Sequence, residues 1–556
     1  MLNLYYIASS GLQTGQQALS VIGNNLANAT NPNYSRQNII LGAAGGRVTA
    51  TGFIGNGVRV EGVARAFDEY ANERVRGTET LLRASGAHYD KMSALDLEFS
   101  RTDNGIDTKL NSLFNALKDI SKVPTNGNYR SSAFTALKEL TGRFNKLSDE
   151  LIKQEQKNNQ DIRQSVNVIN QLTGQLASLN REISNRQSID GGGAYDLLDR
   201  RDALLQALSQ QTGINTQIDS RTGAVNVTLS NGHMLVSGDK ANALEVTTDN
   251  NNPGRQVIAY RDAENAIIPL QDSLLDKGVL GGLLAFRNQD LPEIRDRLNE
   301  LALHLSQRFN EVNKQGYDAN GEKGKDLFSY ALPNAIANGK NQGEASLSVT
   351  ALNTDPAAEG GVAKPQEYTL RFENGTWQVT GTADGRKVES TFVDGKLTFE
   401  GVTVAVKGDA QEGDSYQLNP FNGIADSVAV SIKNGDEIAA ASEKDPQDTD
   451  GKETGNNGNS IALGNIQHEK LINGGTLSDA YAGLIGYVGT TTRNLMETAS
   501  SQEKAFQDAY VERSEKTGVN LNQEYVQMEM FRQYYNASAQ LLQTANSLLD
   551  TLLTIR

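Results

Sequence analysis

The first charged residue of this chain is Arg36: from Met1 to Ser35 there is no Asp, Glu, Lys or Arg, and from Gln533 to Leu549 there is again none. Both stretches repeat small or apolar residues at alternating steps of four and three. Near the start these are Ala8, Leu12, Gly15, Leu19, Ile22, Leu26 and Ala29. Near the end they are Phe531, Tyr535, Ser538, Leu542, Ala545, Leu549 and Leu552. This is the period of a coiled-coil seam, and so narrow a seam requires a partner helix. The remaining positions are Gln, Asn, Ser, Thr and Gly, where a helix facing water would carry Lys and Glu. A neutral outer face can be buried against further copies without stranding a charge. A helical hairpin closing a single domain would also fit the spacing, but it gives no reason to exclude charge from every face. The two ends are therefore expected to meet each other and then their neighbours.

The chain has 556 residues, enough for several domains. Its hydrophobic fraction of 38% is low for a compact enzyme and fits an elongated molecule with thin cores. No run of eighteen apolar residues suggests a membrane span. No basic segment precedes an apolar one at the start, so a cleavable Sec signal is not expected. A net charge of -15 argues against nucleic acid as a partner. The absence of cysteine excludes disulfides, thiolate metal sites and thiol catalysis.

The order of elements reads helix, β, helix, β, helix. The first helix should stop at Asn28-Ala29-Thr30-Asn31-Pro32, because residues before Pro avoid the α region. Alternation at Val58 and Val60 marks a strand. Helical spacing returns at Leu137, Leu140, Phe144, Leu147 and Leu151, and again from Ile162 to Ile183. Strand-like runs separated by Asn, Gly and Asp turns follow from Gly213. Leu291, Ile294, Leu298, Leu301, Leu305, Phe309 and Val312 form another helical seam. A second β block, about Ser346 to Leu418, carries hairpin signals at Asn374-Gly375, Asp384-Gly385 and Asp394-Gly395. Trp377 beside the first of these reads as a hairpin core residue. Ser442 to Ser460 reads as a loop.

The expected fold is α+β and multidomain: a coiled coil of paired N- and C-terminal helices, a long helical trunk and two inserted β-rich domains. The divisions are 1–60 with 520–556 (terminal coiled coil), and 61–205 with 285–328 and 424–519 (trunk). The first β-rich domain is 206–284, and the second, outer one is 329–423. The pairing residues expected at the assembly interface are Leu12, Leu19, Ile22, Leu26, Phe531, Tyr535, Leu542, Leu549 and Leu552.

A run of motifs near the start points to a family. Ser9-Ser10-Gly11-Leu12, then Asn24, Asn25, Leu26, Ala27, Asn28, Ala29, Thr30 and Asn31, then Tyr34, Ser35, Arg36 and Gln37 resemble the signature of bacterial flagellar rod, hook and hook-associated proteins. Gly55-Asn56-Gly57-Val58-Arg59-Val60, with Arg65 and Asp68, resembles that family's next block. Gly281 to Arg287, Lys314 to Phe328 and Gly518 to Arg556 are similar to its hook-associated junction members. Asn33 stands where the family's turn often has Gly; Asn also accepts positive φ. The resemblance implies a structural, non-enzymatic subunit without cofactor, located outside the cell in the flagellum. Its expected partners are further copies in a ring, the hook protein, a second junction protein and an export chaperone on the C-terminal helices. Export through the flagellar type III apparatus and a role in motility follow from the same resemblance. The alternatives are another axial protein (hook, rod or second junction subunit), and less so a cell-wall hydrolase or an adhesive module.

Chemistry-bearing patterns are weak. His88, His233, His304 and His468 lack metal-ligand spacing. Gly52 to Gly57 lacks the order of a phosphate loop. Asp318, Asn320, Glu322 and Asp326 resemble a calcium loop, but Lys323 occupies the position that needs Gly, so an exposed turn is expected.

Overall fold

A computed structural model describes residues 2–49, 52–101, 104–190, 194–219, 221–262, 265–355, 361–444 and 455–554. Helix α1 (Leu2–Ala27) ends where the Asn-rich turn and Pro32 forbid another helical step. An antiparallel strand pair follows, Gln37–Ala43 with Val58–Arg65, carrying the small hairpin Gly46–Thr49 and Gly52–Gly55 at its tip. Helix α2 (Glu69–Phe99) begins at Asp68, whose carboxylate accepts the Ala71 N–H at 2.8 Å. Helices α3 (Ile106–Lys122), α4 (Gly127–Asp190) and α5 (Tyr195–Gln211) complete the first helical segment.

Helix α4 has 64 residues and so runs about 96 Å at the standard helical rise. Its two halves serve different cores. Leu137, Leu140, Phe144, Leu147 and Leu151 pack with α2 and α3 in the trunk. Ile162, Val166, Ile169 and Leu176 pack beneath the first β-rich unit. Two asparagines dock that unit by imitating a strand. Asn170 donates to the Leu244 carbonyl and accepts its N–H, both at 2.8 Å. Asn180 does the same with Val225, at 2.8 and 2.9 Å. The unit itself has one antiparallel sheet of four strands between Ile214 and Ala241 and another of three between Ala243 and Pro269.

The chain re-enters the trunk through α6 (Gly278–Ala285), a π turn at Phe286–Asp290, and α7 (Leu291–Gln315). The Gly281-Gly282 pair is needed here. A Cβ at Gly282 would lie 2.1 Å from the Ala84 carbonyl oxygen, so α6 rests backbone to backbone on α2. The outer domain follows as two antiparallel sheets, of five and four strands, between Ile336 and Leu418. Trp377 is buried there with its ring 5.3 Å from Phe372 and 5.8 Å from Tyr416. Its hairpin turn has φ of 52° at Asn374 and 73° at Gly375, the left-handed pair that this turn type demands. Helices α8 (Ile424–Ser427), α9 (Gly458–Asn465), α10 (Leu477–Thr517) and α11 (Leu521–Thr554) return to the start. A capping box of Thr476 and Asp479 opens α10, which lies along α2, while α11 lies along α1.

The α+β architecture of terminal helix pair, helical trunk and two β-rich insertions is thus present. Three boundaries differ from the sequence reading. The strand Val58–Arg65 crosses residue 60, because its partner Gln37–Ala43 requires the whole length. The trunk and outer-domain cores are one continuous apolar cluster. In the loop read from Ser442 to Ser460, residues 445–454 lie outside the described residues, and α9 already begins at Gly458.

A titratable joint lies where α7 meets the outer domain. Burial pushes the Asp296 carboxyl from an ordinary 3.8 up to about 7, against the opposing pull of Arg295 and a hydrogen bond from Asn419. Glu293 and Glu367 add to the rise, and Glu300 and Glu367 are themselves shifted up, chiefly by burial. The folded state therefore holds the Asp296 proton more tightly than the unfolded chain. The stabilisation this gives relative to neutral pH is full at low pH, fades as pH rises through this range, and is gone above about 7. Asp296→Asn keeps the acceptor for Asn419 and removes the charge. It should raise unfolding stability at pH 8 by on the order of 2–4 kcal/mol and change little near pH 4. Urea unfolding followed by the fluorescence of Trp377 measures this; an equal effect at both pH values would contradict it.

Candidate assembly interface

Helices α1 and α11 pair antiparallel. Gly11 faces Ser538, Gly15 faces Tyr535, and Asn25 faces Glu524. The line most deeply buried on α1 is Ala8, Gly11, Gly15, Ala18, Ile22 and Asn25, with Thr14 beside it. On α11 the matching buried residues are Glu524, Ser538 and Ala545. The contact is one of small residues, so the helix backbones come close. A methyl group added at Gly15 would lie 3.2 Å from the Tyr535 Cβ and 3.4 Å from its Cα. One added at Gly11 would meet the Ser538 hydroxyl at 2.5 Å.

This line keeps Ala8, Gly15 and Ile22 of the seam read in the sequence, with Ser538 and Ala545 on α11, but takes Gly11, Ala18 and Asn25 in place of Leu12, Leu19 and Leu26. Of the pairing residues expected at the interface, Ile22 is buried, while Leu12, Leu19, Leu26, Phe531, Leu542 and Leu549 are half-buried along the flanks. Tyr535 is 38% exposed, and both its backbone and its ring border Gly15. The Leu552 side chain lies outside the described residues. The physical reason for the exchange is close approach: glycine and alanine admit a neighbouring backbone where leucine holds it off.

One flank of α11, beside the face that α1 covers, carries a further apolar stripe; the Tyr534 hydroxyl on it reaches Gly11, 3.3 Å from where a Cβ would stand. Val526, Met530, Tyr534, Leu541 and Leu548 are all exposed, Val526 to 70%. Their spacing places them one above another at helical period. Nothing in the sequence reading separated this stripe from the first, because both share the same heptad rhythm.

At the root of the pair the family-motif residues form a polar hub. Asn25 fills all four of its hydrogen-bonding positions. It donates to the Gln37 carbonyl at 2.8 Å and to Glu524 Oε2 at 3.1 Å. It accepts the Gln37 N–H at 2.9 Å and the Tyr34 hydroxyl at 2.8 Å. Burial, then the Asp199 and Glu524 carboxylates, push the Tyr34 phenol up to about 12, so it remains a donor. Asn24 donates to Tyr34 and accepts from Asn28, whose amide also reaches the Asn24 carbonyl. Ala27 is exposed at the helix end. Arg36 donates to Gln523 at 2.9 Å and ties its own N–H to the Thr517 carbonyl at 2.9 Å. The turn at Asn33 is closed by Asn31, whose side chain accepts the Asn33 N–H at 3.1 Å. Asn33 itself does not take the positive φ that the sequence reading relied on.

The hub is bolted to the trunk by charge. Arg65 pairs with Asp199 at 2.7 Å and Asp202 at 2.6 Å, with all three side chains largely buried. Asp199 also accepts the Ser35 N–H at 3.3 Å. Lys516 reaches Asp68 at 3.1 Å, linking α10 to the start of α2.

The patterns that could have signalled catalysis resolve as structure. Asp318 accepts the N–H groups of Asn320 and Glu322 at 2.8 and 2.9 Å, and Asp326 pairs with Lys314 at 2.7 Å. This is a closed turn. His88 bridges to Asp290, which also accepts the Tyr487 hydroxyl at 3.0 Å. Burial pushes His304 down to about 4, so its ring is neutral. Among the described residues no group of three His, Asp or Glu side chains is placed to hold a metal, and no helix is long and apolar enough to cross a membrane.

Comparison with known proteins agrees along the whole length. Residues 92–328 match the family described as flagellar hook-associated protein FlgK helical domain. Residues 336–420 match the flagellar hook-associated protein 1 D2-like domain, and residues 6–34 match the flagella basal body rod protein family. The flagellar hook-associated protein 1 of Salmonella typhimurium is 35% identical over 561 residues, with all of both chains covered. That of Escherichia coli K12 is 33% identical over 560 residues, again with both covered in full. The solved flagellar hook junction protein FlgK of Burkholderia pseudomallei shares the fold, with a TM-score of 0.69 at 21% identity, covering 79% of this chain and 98% of that one. With identity at this level over the whole length of both chains, the chain belongs to the flagellar hook-associated protein 1 (FlgK) family.

Proposed function

We propose that this chain is a structural subunit of the bacterial flagellum that joins hook to filament. The observation that carries the reading is the second apolar stripe on α11, beside a terminal pair almost without charge. One face of α11 is covered by α1; the exposed apolar flank beside it fits a neighbouring copy. A subunit whose neighbour's stripe it covers, while its own is covered by the next, builds a ring or a helical tube. Hook protein on one side and a second junction protein on the other are the neighbours that the family relationship supports. Cells of the source bacterium lacking this chain should keep their hooks but release filament subunits into the medium, and the intact gene should restore attached filaments. Loss of the hook itself would assign the chain to a different axial position.

Export before assembly belongs to the same reading. A chain that must cross a narrow secretion channel travels unfolded, and its apolar terminal helices need cover in the cytosol. A dedicated chaperone on α11 would supply it. A chain ending at Thr517 should then lose chaperone capture in a pull-down, while a chain lacking residues 329–423 should keep it. Undiminished capture by the shortened chain would refute the site.

A further inference from the structure

The buried pair of Glu524 and Asn25 has a role that packing does not require. Glu524 is 1% exposed, its Oε2 accepts from Asn25 at 3.1 Å, and its Oε1 has no hydrogen-bond partner. No Lys or Arg neutralises it within ion-pair distance among the described residues. An uncompensated carboxylate is a costly thing to bury in a contact otherwise made of Ala, Gly and Ser. We infer that Glu524 and Asn25 are the residues that set the register of α1 on α11.

A seam of small residues specifies register poorly. Moving α11 by one heptad sets Ala545 where Ser538 stood against Gly11, an exchange of one small residue for another. The polar pair penalises both directions of such a slip. In one, Ser538 comes opposite Ala18, Glu524 passes beyond the end of α1, and Asn25 is left facing Phe531. In the other, Glu524 is carried against Ala18, whose methyl group cannot donate to it. A polar residue at a single seam position is a known way for helices to select one register at the expense of stability. Asn25 is suited to the task because its own position is fixed. It is held at both ends to the Gln37 backbone, so the register is measured from the strand pair that anchors to the trunk.

The chain has no cysteine, so pairs of introduced cysteines report register without background. Gly11→Cys with Ser538→Cys reads the observed register, since a Cβ at Gly11 lies 3.2 Å from the Ser538 Cβ. Ala18→Cys with Ser538→Cys reads a one-heptad slip, because these positions stand about 10 Å apart along the helix in the observed register. Mild oxidation of the full-length chain at low concentration, with peptide mapping, traps whichever register the paired ends adopt. They need not stay paired throughout. In the native background the first pair should close and the second should not. Glu524→Leu removes the key yet leaves Asn25 tied to Gln37. The ratio of slipped to native crosslink should then rise roughly 10-fold or more, the factor set by a hydrogen bond to a charged group. Glu524→Gln, which keeps an acceptor for Asn25, should stay in the native register. Glu524→Leu crosslinking only through Gly11→Cys would overturn the inference. So would loss of native crosslinking in Glu524→Gln, or loss of both crosslinks in Glu524→Leu, which would make the pair a general stabiliser.

Discussion

Gly15→Leu should remove this chain from the flagellum while leaving its trunk and β-rich domains folded. A Cβ at this position already lies 3.2 Å from the Tyr535 Cβ, and the rest of a leucine side chain must displace the α11 backbone. Overpacking a close contact costs about 1–3 kcal/mol in one molecule. In a ring the same distortion recurs at every subunit, so the effect on assembly multiplies. The readout has two parts. Urea unfolding followed at Trp377, far along the chain, should be unchanged. Cells carrying the variant should retain hooks and lose nearly all attached filaments. Gly23→Ala is the matched control, because a methyl there meets nothing within 4 Å in the chain itself. It should leave the α1–α11 pairing intact and favour the helix by up to about 1 kcal/mol. Normal filaments with Gly15→Leu would show that the close approach of the two backbones is dispensable.

Arg65→Met should uncouple the terminal helices from the trunk. The arginine is almost wholly buried and bridges Asp199 and Asp202, both on α5. Methionine fills similar volume but leaves Asp199 without its cation, while Arg201 still reaches Asp202. Breaking a buried ion pair from one side costs about 3–5 kcal/mol, because the remaining charge is stranded. The loss is local. Amide exchange should therefore accelerate along Gln37–Ala43, Val58–Arg65 and the start of α5, with the outer domain unaffected. Removing both carboxylates as well, with Asp199→Asn and Asp202→Asn, should recover most of the protection. Failure of that recovery would mean that the arginine acts by packing alone.

Much of this architecture was legible from period and punctuation. The heptad rhythm of both ends, the Asn-Gly and Asp-Gly turns of the outer domain, and the proline that stops α1 each act within a few residues. What escaped was set by contacts distant in sequence. Gly11 and Ala18 carry no hydrophobic signal, so the seam was drawn through Leu12 and Leu19, one residue away. Glu524 reads as a surface residue until Asn25 is placed opposite it, 499 positions earlier in the chain. Asn170 and Asn180 look like ordinary polar helix positions, yet each substitutes for a strand edge. The domain boundaries at 329 and 423 followed a change of composition, whereas trunk and outer domain share one apolar core.

The outer domain hangs from the trunk by two strands that are hydrogen-bonded neighbours, Ile336 opposite Gln417 and Ala337 opposite Tyr416. Its two connections therefore leave the trunk as a single stem. Anything carried on that stem can grow, shrink or be exchanged without altering the distance between the chain segments below it. The terminal helix pair and the outer domain are in this sense separate compartments for sequence change. The first must keep its residue-by-residue fit to every neighbour, whereas the second must close back on its own stem and keep the core it shares with α7. The outer domain can therefore diversify, or accept a grafted tag or binding module, while the terminal pair keeps its geometry.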